Sequence, residues 1–595
     1  MKDEEYRKLK TELDSLPTGG ITYKKINGKE YAYYQWREDG KQRSRRAKDD
    51  ELPFLLIQIE RRKEIENLMA GIGNGQDKMV YFEYPFYCAV QTGTILQQFV
   101  ESVATWKKRR CFENLHEYLY SDIRDRVFIL YGLRRTGKTT LIRQAIYEMD
   151  EKMRKRTAFV QVHEGLTMTE LYKDLRVLEA KGYQYVFIDE VTLLEDFIED
   201  AALLSDIFAA SGMKIVLSGT DSLGFMITKS EQLYDRCFLC HTTFISYSEF
   251  EYVLGITGID EYIRYGGTMS IGGKNYNQNS LIFEDNASVN AYVDSAIAHN
   301  IQHSLKHYQS GNHFRSLGEL YEKDELTNVI NRVVEDINHK FTMEVLTRDF
   351  KSSDLSLSAK NLRKDKERPT DILYEVDVER VTKRLKEILE IRNKTELSVQ
   401  LEDAHRIEIK EYLDLLDLTV EIESRWVQDY NRKESRTVFL QPGMRYAQVK
   451  ALVDALVQEE LFLELGLKEQ TRVIERIMNE VKGRMMEDII LLETKMARPN
   501  CQVFKLQFAI GEYDMVVFDR EHCCCEIYEI KHSTEAVLEQ SRYLREEEKL
   551  KATEFRYGDI VGKYVIYRGE ETEIEGTRYL NVEDYLKSLE FHSMK

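Results

Sequence analysis

Short apolar runs at 127–131, 158–162, 185–188 and 215–217 alternate with segments of helical spacing. This is the pattern of buried parallel strands joined by crossover helices. Upstream, 19–48 reads as three strands rich in β-formers, separated by the turn dipeptides Asn27-Gly28 and Asp39-Gly40. Segment 51–69 follows with helical spacing through Leu55, Ile59 and Ile65. Segment 70–105 carries Gly71, Gly73 and Gly75, then an aromatic-rich run without a clear period, and reads as a linker and lead-in. Beyond about residue 250 the pattern is mainly helical, with a charged loop or linker over 351–368, and a last α/β unit begins near 470. No proline lies between Pro85 and Pro369, so nothing there forbids long helices. The expected organisation is a three-stranded sheet plus helix over 1–75, a linker over 76–105, a parallel-sheet domain over 106–250, a helical or winged-helix region over 251–469, and an α/β domain over 470–595.

A chain of 595 residues is too long for one hydrophobic core. With 43% apolar and 32% charged residues it suits a soluble, helix-rich, multidomain α/β protein. No run of 18 apolar residues occurs, and the opening MKDEEYRKLK lacks the apolar core of a signal peptide, so the expectation is a cytoplasmic protein without a membrane partner. The cysteine run Cys523-Cys524-Cys525 suits reduced thiols rather than a disulfide framework. Net charge is 85 − 103 = −18, so any attraction to nucleic acid must be local. Between Lys24 and Lys48, nine basic residues face Glu30, Glu38 and Asp39, interleaved with Tyr31, Tyr33, Tyr34 and Trp36. This is the best local DNA-binding patch; the plainer alternative is a solvated basic hairpin whose aromatics pack on its own helix. The segment loosely resembles the small arm-binding domains of tyrosine recombinases.

The strand at 127–131 runs into Gly132, Leu133, Arg134, Arg135, Thr136, Gly137, Lys138, Thr139 and Thr140, a complete G-x-x-x-x-G-K-[ST] loop opening an amphipathic helix. The glycines let backbone N–H groups curl around phosphate oxygens, Lys138 reaches the β/γ-phosphates, and the Thr139 hydroxyl is a Mg²⁺ ligand. ATP and Mg²⁺ are the cofactors expected. The strand at 185–188 ends in Asp189, placed to hold Mg²⁺, and Glu190, placed to activate the attacking water. A further strand ends in Ser218-Gly219-Thr220, whose hydroxyls are candidate γ-phosphate sensors, and Arg236 is a candidate to neutralise transition-state charge or else a surface arginine. Cys237-x-x-Cys240-His241 is read as buried thiols on another strand of the same sheet rather than a haem or zinc motif.

Near the C-terminus, strands at 502–510 and 513–518 precede a third ending Glu529-Ile530-Lys531. Alternation puts Glu529 and Lys531 on one face, where a neighbouring strand brings Asp514 beside them. The set suits metal-dependent phosphodiester cleavage, with Asp514 and Glu529 as metal ligands, Lys531 positioning water, and Glu487 on an upstream helix completing the metal shell. The alternative is a solvated acid–base pair on an amphipathic strand.

These four residues resemble the PD-(D/E)XK nuclease superfamily, although no proline precedes Asp514. Taken with YGLRRTGKTTLIRQAI, VFIDEV, SYSEFEYVLG and EYIRYGGTM, they make 106–595 similar to archaeal-type AAA-superfamily ATPases with a C-terminal PD-(D/E)XK-like domain. The resemblance implies an additional-strand P-loop core, a helical or winged-helix segment and a restriction-endonuclease-like end. The leading expectation is an ATPase controlling a DNA-cleaving or DNA-processing domain; the alternative is an ATP-driven switch whose nuclease-like fold only binds. ATP and DNA are the expected partners, and self-association into a homo-oligomer stays open.

Overall fold

The computed structural model describes residues 16–48, 86–269, 315–351, 403–457 and 467–590, apart from short internal gaps, together with isolated helical positions at 52, 55, 58, 59, 62, 289, 293 and 297. The chain divides into two compact units, Met1–Tyr84 and Pro85–Lys595.

In the first unit β1 (Gly20–Ile26), β2 (Lys29–Glu38) and β3 (Lys41–Arg46) form an antiparallel sheet in the order β1-β2-β3. Register pairs Ile26 with Lys29 and Glu38 with Lys41; the turns expected at 27–28 and 39–40 lie outside the described residues. The i, i+2 alternation sends Ala32, Tyr34 and Trp36 to one face, where they pack with Leu55 and Ile59 of the following helix. Tyr34 and Trp36 stack at 5.2 Å between ring centroids. Those aromatics therefore build a core, as the plainer alternative has it, while Arg43, Arg45 and Arg46 on β3 are exposed.

The second unit begins with β4 (Ala89–Gln91), α1 (Gly93–Glu101) and α2 (Phe112–Tyr120), then β5 (Val127–Tyr131), α3 (Lys138–Glu148), β6 (Thr157–Gln161), α4 (Met168–Ala180), β7 (Tyr185–Asp189), β8 (Lys214–Gly219) and β9 (Cys237–His241). The sheet order is β4-β6-β7-β8-β5-β9, all parallel except β4. Strand β8 thus lies between β5 and β7, the additional strand that the resemblance implied. Phe128 and Leu130 face a layer containing α1, α2 and α3, whereas Val127 and Ile129 face α4, so these strands are apolar on both sides. Of the linker expected over 76–105, residues 76–85 lie outside the described residues and 86–105 are corrected here to part of this domain. Strand β4 pairs with β6, and the buried Asp174 carboxylate on α4 accepts the Tyr87 and Cys88 N–H groups at 2.9 and 2.7 Å.

Next come α5 (Tyr247–Leu254), α6 (Ile259–Tyr265), α7 (Arg315–Glu322), α8 (Leu326–Lys351), α9 (Asp403–Leu415), β10 (Thr419–Trp426), β11 (Lys433–Phe439) and α10 (Pro442–Val457). The chain ends with α11 (Leu467–Ala497), β12 (Gln502–Gln507), β13 (Glu512–Asp519), β14 (Cys524–Ile530), α12 (Glu547–Tyr557), β15 (Asp559–Tyr567), β16 (Thr572–Ile574), β17 (Thr577–Asn581) and α13 (Val582–Ser588). A second large sheet runs β11-β10-β12-β13-β14-β15-β17-β16. The boundary expected at 469/470 is therefore crossed by a sheet: the β10–β11 hairpin adds to β12 in parallel rather than forming a free-standing wing. Burying one edge of β12 removes an exposed strand edge. All eight cysteines are free thiols. Among the described residues no helix is long and apolar enough to cross a membrane.

Helices α5 and α6, at the end of the first large sheet, share a hydrophobic core with α11 and the inner face of the second. Within it the Glu493 carboxylate of α11 accepts the Tyr247 N–H at 2.6 Å, and its other oxygen is buried without a partner. Burial pushes the Glu493 carboxyl up to about 8. A carboxyl raised in the folded state binds more protons than in the unfolded chain between the two pKa values, so its contribution to stability falls as pH rises from about 4.5 to about 8. Glu493→Gln keeps an acceptor for Tyr247 and should flatten that loss, gaining about 1–3 kcal/mol at pH 8 and little at pH 5, measured by thermal unfolding across that pH range.

Candidate functional site

The phosphate loop forms where β5 stops and α3 starts. Gly132 and Gly137 have φ of 140° and 92°, and a Cβ on Gly132 would come within 2.6 Å of Thr242 Oγ1, so this turn admits only glycine. Lys138 is buried, and its ammonium donates to the Gly132 and Leu133 carbonyls, both at 2.8 Å. Burial lowers its pKa to about 8 against the opposing pull of Glu190 and Asp189. A phosphate entering the loop would supply the negative charge this ammonium lacks.

Thr139 Oγ1 donates to Asp189 Oδ2 at 2.8 Å, and the Ser218 hydroxyl donates to Asp189 Oδ1. Loop, metal-ligand candidates and one sensor candidate therefore meet at the ends of β5, β7 and β8. A hydroxyl and a carboxylate turned to one point suit an octahedral cation that keeps most of its water, so Thr139 and Asp189 would hold Mg²⁺ here. Glu190 follows in left-handed backbone geometry, φ 58°, and Thr220 Oγ1 donates to it at 3.4 Å. Burial raises the Glu190 carboxyl above its ordinary range, more than Lys138 offsets, which favours proton acceptance from water. Arg134 is half-buried and Arg135 exposed, with Thr140 on the first turn of α3.

Arg236 is not brought to this cluster. It precedes β9, and its carbonyl accepts the N–H of Val127 at the far end of β5, about 13 Å of strand from the loop. Its guanidinium pairs with Asp206 at 2.8 Å, both half-exposed. The parallel pairing of β9 with β5 dictates this, and the residue sits where the surface alternative put it.

Sequence reasoning missed Arg109. Its buried guanidinium donates to the carbonyls of Thr136 and Thr242 at 2.7 Å and of Phe244 at 2.8 Å, and pairs with Glu249 of α5 at 2.9 Å. Glu249 also accepts the Arg110 N–H. Nothing in KKRR marks Arg109 over its neighbours. Leu133, next to the first loop glycine, is buried among Val329 and Ile330 of α8, Tyr412 of α9 and Phe439 of β11.

At the second sheet, Lys531 Nζ lies 3.0 Å from Asp514 Oδ2 and 2.7 Å from Glu529 Oε2, and Asp514 also accepts the Ile530 N–H at 2.8 Å. Asp514, Glu529 and Lys531 thus converge. Burial works against the Lys531 ammonium, but Asp514 and Glu529 outweigh it and hold its pKa above the ordinary lysine value. Burial pushes the Glu529 carboxyl well up, more than Lys531 offsets, and its Oε1 is buried without a partner. One monovalent charge between two carboxylates leaves the pair under-neutralised, and a divalent cation would fit that deficit.

Glu487 is not part of the convergence, which corrects the three-acid metal shell. Its carboxylate is taken by Lys505 of β12 and by Arg484, at 2.5 Å, one turn earlier on α11. Burial would raise it, but Arg484, Lys505 and Arg436 hold it far below the carboxylate range. Among the described residues no three acid, histidine or cysteine side chains gather to hold a metal. A lysine in the otherwise apolar centre of a strand, Lys505 in VFKLQ, signals a buried acid partner from sequence alone.

Replacing Arg109 by methionine should leave Glu249 buried and uncompensated, at a cost of about 3–5 kcal/mol. A lower thermal midpoint together with a smaller stabilisation by added ATP checks it; an unchanged ATP response would confine Arg109 to the fold.

No curated protein matches the chain. Residues 1–54 match a domain of unknown function, DUF6788. Among solved structures, the Aeropyrum pernix Orc1 protein in complex with DNA is similar at 12% identity, covering 63% of this chain and 99% of that one, with a TM-score of 0.21; so loose a superposition carries no argument. Residues 124–251 match the AAA domain, and with the loop geometry around Lys138, Thr139, Asp189 and Glu190 this match supports a P-loop ATPase of AAA type in this part of the chain.

Proposed function

We propose that the chain is a Mg²⁺-dependent ATPase whose nucleotide cycle controls metal-dependent cleavage or processing of DNA at Asp514, Glu529 and Lys531. The observation that carries the second half is one lysine held between two buried carboxylates on adjacent strands. The order helix α11, antiparallel β12-β13-β14, helix α12 and parallel β15 supports the nuclease-like reading. A divalent ion held by Asp514 and Glu529 would supply charge to a crowded phosphodiester. The chain's own part is to keep both acids dry, to fix Asp514 through the Ile530 N–H, and to hold Lys531 charged beside them.

At the ATP site, Gly132–Thr139 bind and orient the phosphates, and Glu190 takes a proton from the attacking water. DNA would be met through local charge, and the exposed Arg43, Arg45 and Arg46 of the first unit are candidates for phosphate contacts.

A second reading keeps the ATP switch and makes the C-terminal sheet a binding surface only. The engagement of Glu487 by Lys505 and Arg484 favours it, because it leaves two acids rather than three.

Lys138→Ala should abolish turnover and weaken ATP binding more than tenfold, whereas Glu190→Gln should bind ATP normally and lose about 10²–10⁴ in turnover. Equilibrium nucleotide binding and phosphate release separate the two; parental turnover by folded Glu190→Gln would displace Glu190 from its role.

Asp514→Ala and Lys531→Ala should each remove Mg²⁺- or Mn²⁺-dependent cleavage of plasmid and single-stranded DNA while ATP binding persists. If the parent cleaves neither DNA nor RNA, with or without ATP, and calorimetry finds no metal bound beyond the ATP site, the binding-only reading takes its place.

A further inference from the structure

Beside the Asp514–Glu529–Lys531 cluster lies a second charged group that neither reading uses. His532, the residue after Lys531, places Nε2 3.1 Å from Asp260 Oδ1, at the start of α6. Asp260 Oδ2 is 3.0 Å from the Arg568 guanidinium and 3.8 Å from Lys482 Nζ. The four side chains come from α6, α11, the end of β14 and the end of β15, and all are partly exposed.

The donors outnumber the acceptor. Lys482 and Arg568 carry two positive charges against one carboxylate, and His532 Nε2 also lies 3.3 Å from Arg568 Nη1, so a single ring nitrogen faces both a donor and an acceptor. Glu583 of α13, which approaches the start of α6, is engaged by the Ile259 N–H. His532, Arg568 and Lys482 together hold the Asp260 carboxyl below its usual range, as they would any anion in its place.

We propose that Lys482, His532 and Arg568 form a binding site for a backbone phosphate of nucleic acid, and that Asp260 fills it as an intramolecular stand-in. The inference rests on the phosphodiester-processing reading of the adjacent cluster. It makes the site's empty-handed state a self-blocked one. It also gives α6 a route from the ATP site: just past its C-terminal end, the Met269 N–H donates to the Arg135 carbonyl of the phosphate loop at 2.9 Å. A shift of that loop on nucleotide binding would pull on the helix that carries Asp260.

The test uses the full chain in EDTA with a labelled 30-nucleotide single-stranded DNA, titrated across 50–200 mM salt. Asp260→Asn should bind about tenfold more tightly than the parent. Its plot of log affinity against log salt should steepen by ~0.7, the release expected for one added phosphate contact on a single strand. Asp454→Asn removes an acid that is likewise ion-paired, with Lys450 on α10, and should change affinity less than twofold. Asp260→Asn/Arg568→Gln should fall back to the parental value. Equal effects of Asp260→Asn and Asp454→Asn, or a gain that survives the loss of Arg568, overturn the proposal. So does loss of ATP binding by both Asp260→Asn and Asp260→Ser, since Asp260 is then a structural counter-ion. A parallel Mn²⁺ cleavage assay separates the two ideas: cleavage by the parent without tighter binding by Asp260→Asn removes only this inference, and tighter binding without cleavage removes only the catalytic reading.

Discussion

The buried guanidinium of Arg109 is the constraint on which the arrangement around the phosphate loop depends. A guanidinium has five N–H donors in a fixed plane and no acceptors, so burying it demands carbonyls and a carboxylate arranged around that plane. Three chain segments meet the demand: the loop through Thr136, the end of β9 through Thr242 and Phe244, and α5 through Glu249. None of these groups can shift far without leaving a buried charge unpaired. The P-loop's shape and the placement of α5 are in this way parts of one requirement.

From α5 the constraint passes on. Its first N–H is taken by Glu493 of α11, and its Glu251 pairs with Lys587 of α13 at 2.9 Å. Helices α5 and α6, which follow the first large sheet, are therefore built into the apolar cluster of the second rather than meeting it at a polar joint. Leu133 ties the loop separately to the helices around Tyr412. A nucleotide-dependent change at the loop thus has packed, contiguous elements through which to act, which is the physical precondition for coupling two sites.

What the sequence made legible were features set by local rules. The Gly132–Thr139 spacing, the two-sided apolar strands and the period-2 pairing of Glu529 with Lys531 each follow from the chain's immediate neighbours. That Cys237–His241 is a further strand of the same sheet was also readable from its apolar run, although its neighbour β5 was not. Long-range partners were not readable in this way. Glu487 looked like a metal ligand because its own helix gives no sign of Lys505, which arrives from β12. The β10–β11 hairpin looked like part of a helical region because the strand that receives it lies about eighty residues further on. Arg236 looked plausible at the ATP site until the direction of β9 put it at the wrong end of the sheet.

Helix α11 runs unbroken over 31 residues and carries both Glu487 and Glu493. The two acids are six residues apart, so they project about 120° from one another around the axis. One reaches Lys505 beneath the sheet and the other reaches Tyr247 of α5. Adding or removing one residue between them would swing one acid by about 100° out of its pocket while the other stayed fixed. Between these positions side chains could drift over evolutionary time, but the residue count could not: the helix works as a length standard, and insertions there should be purged where substitutions are tolerated.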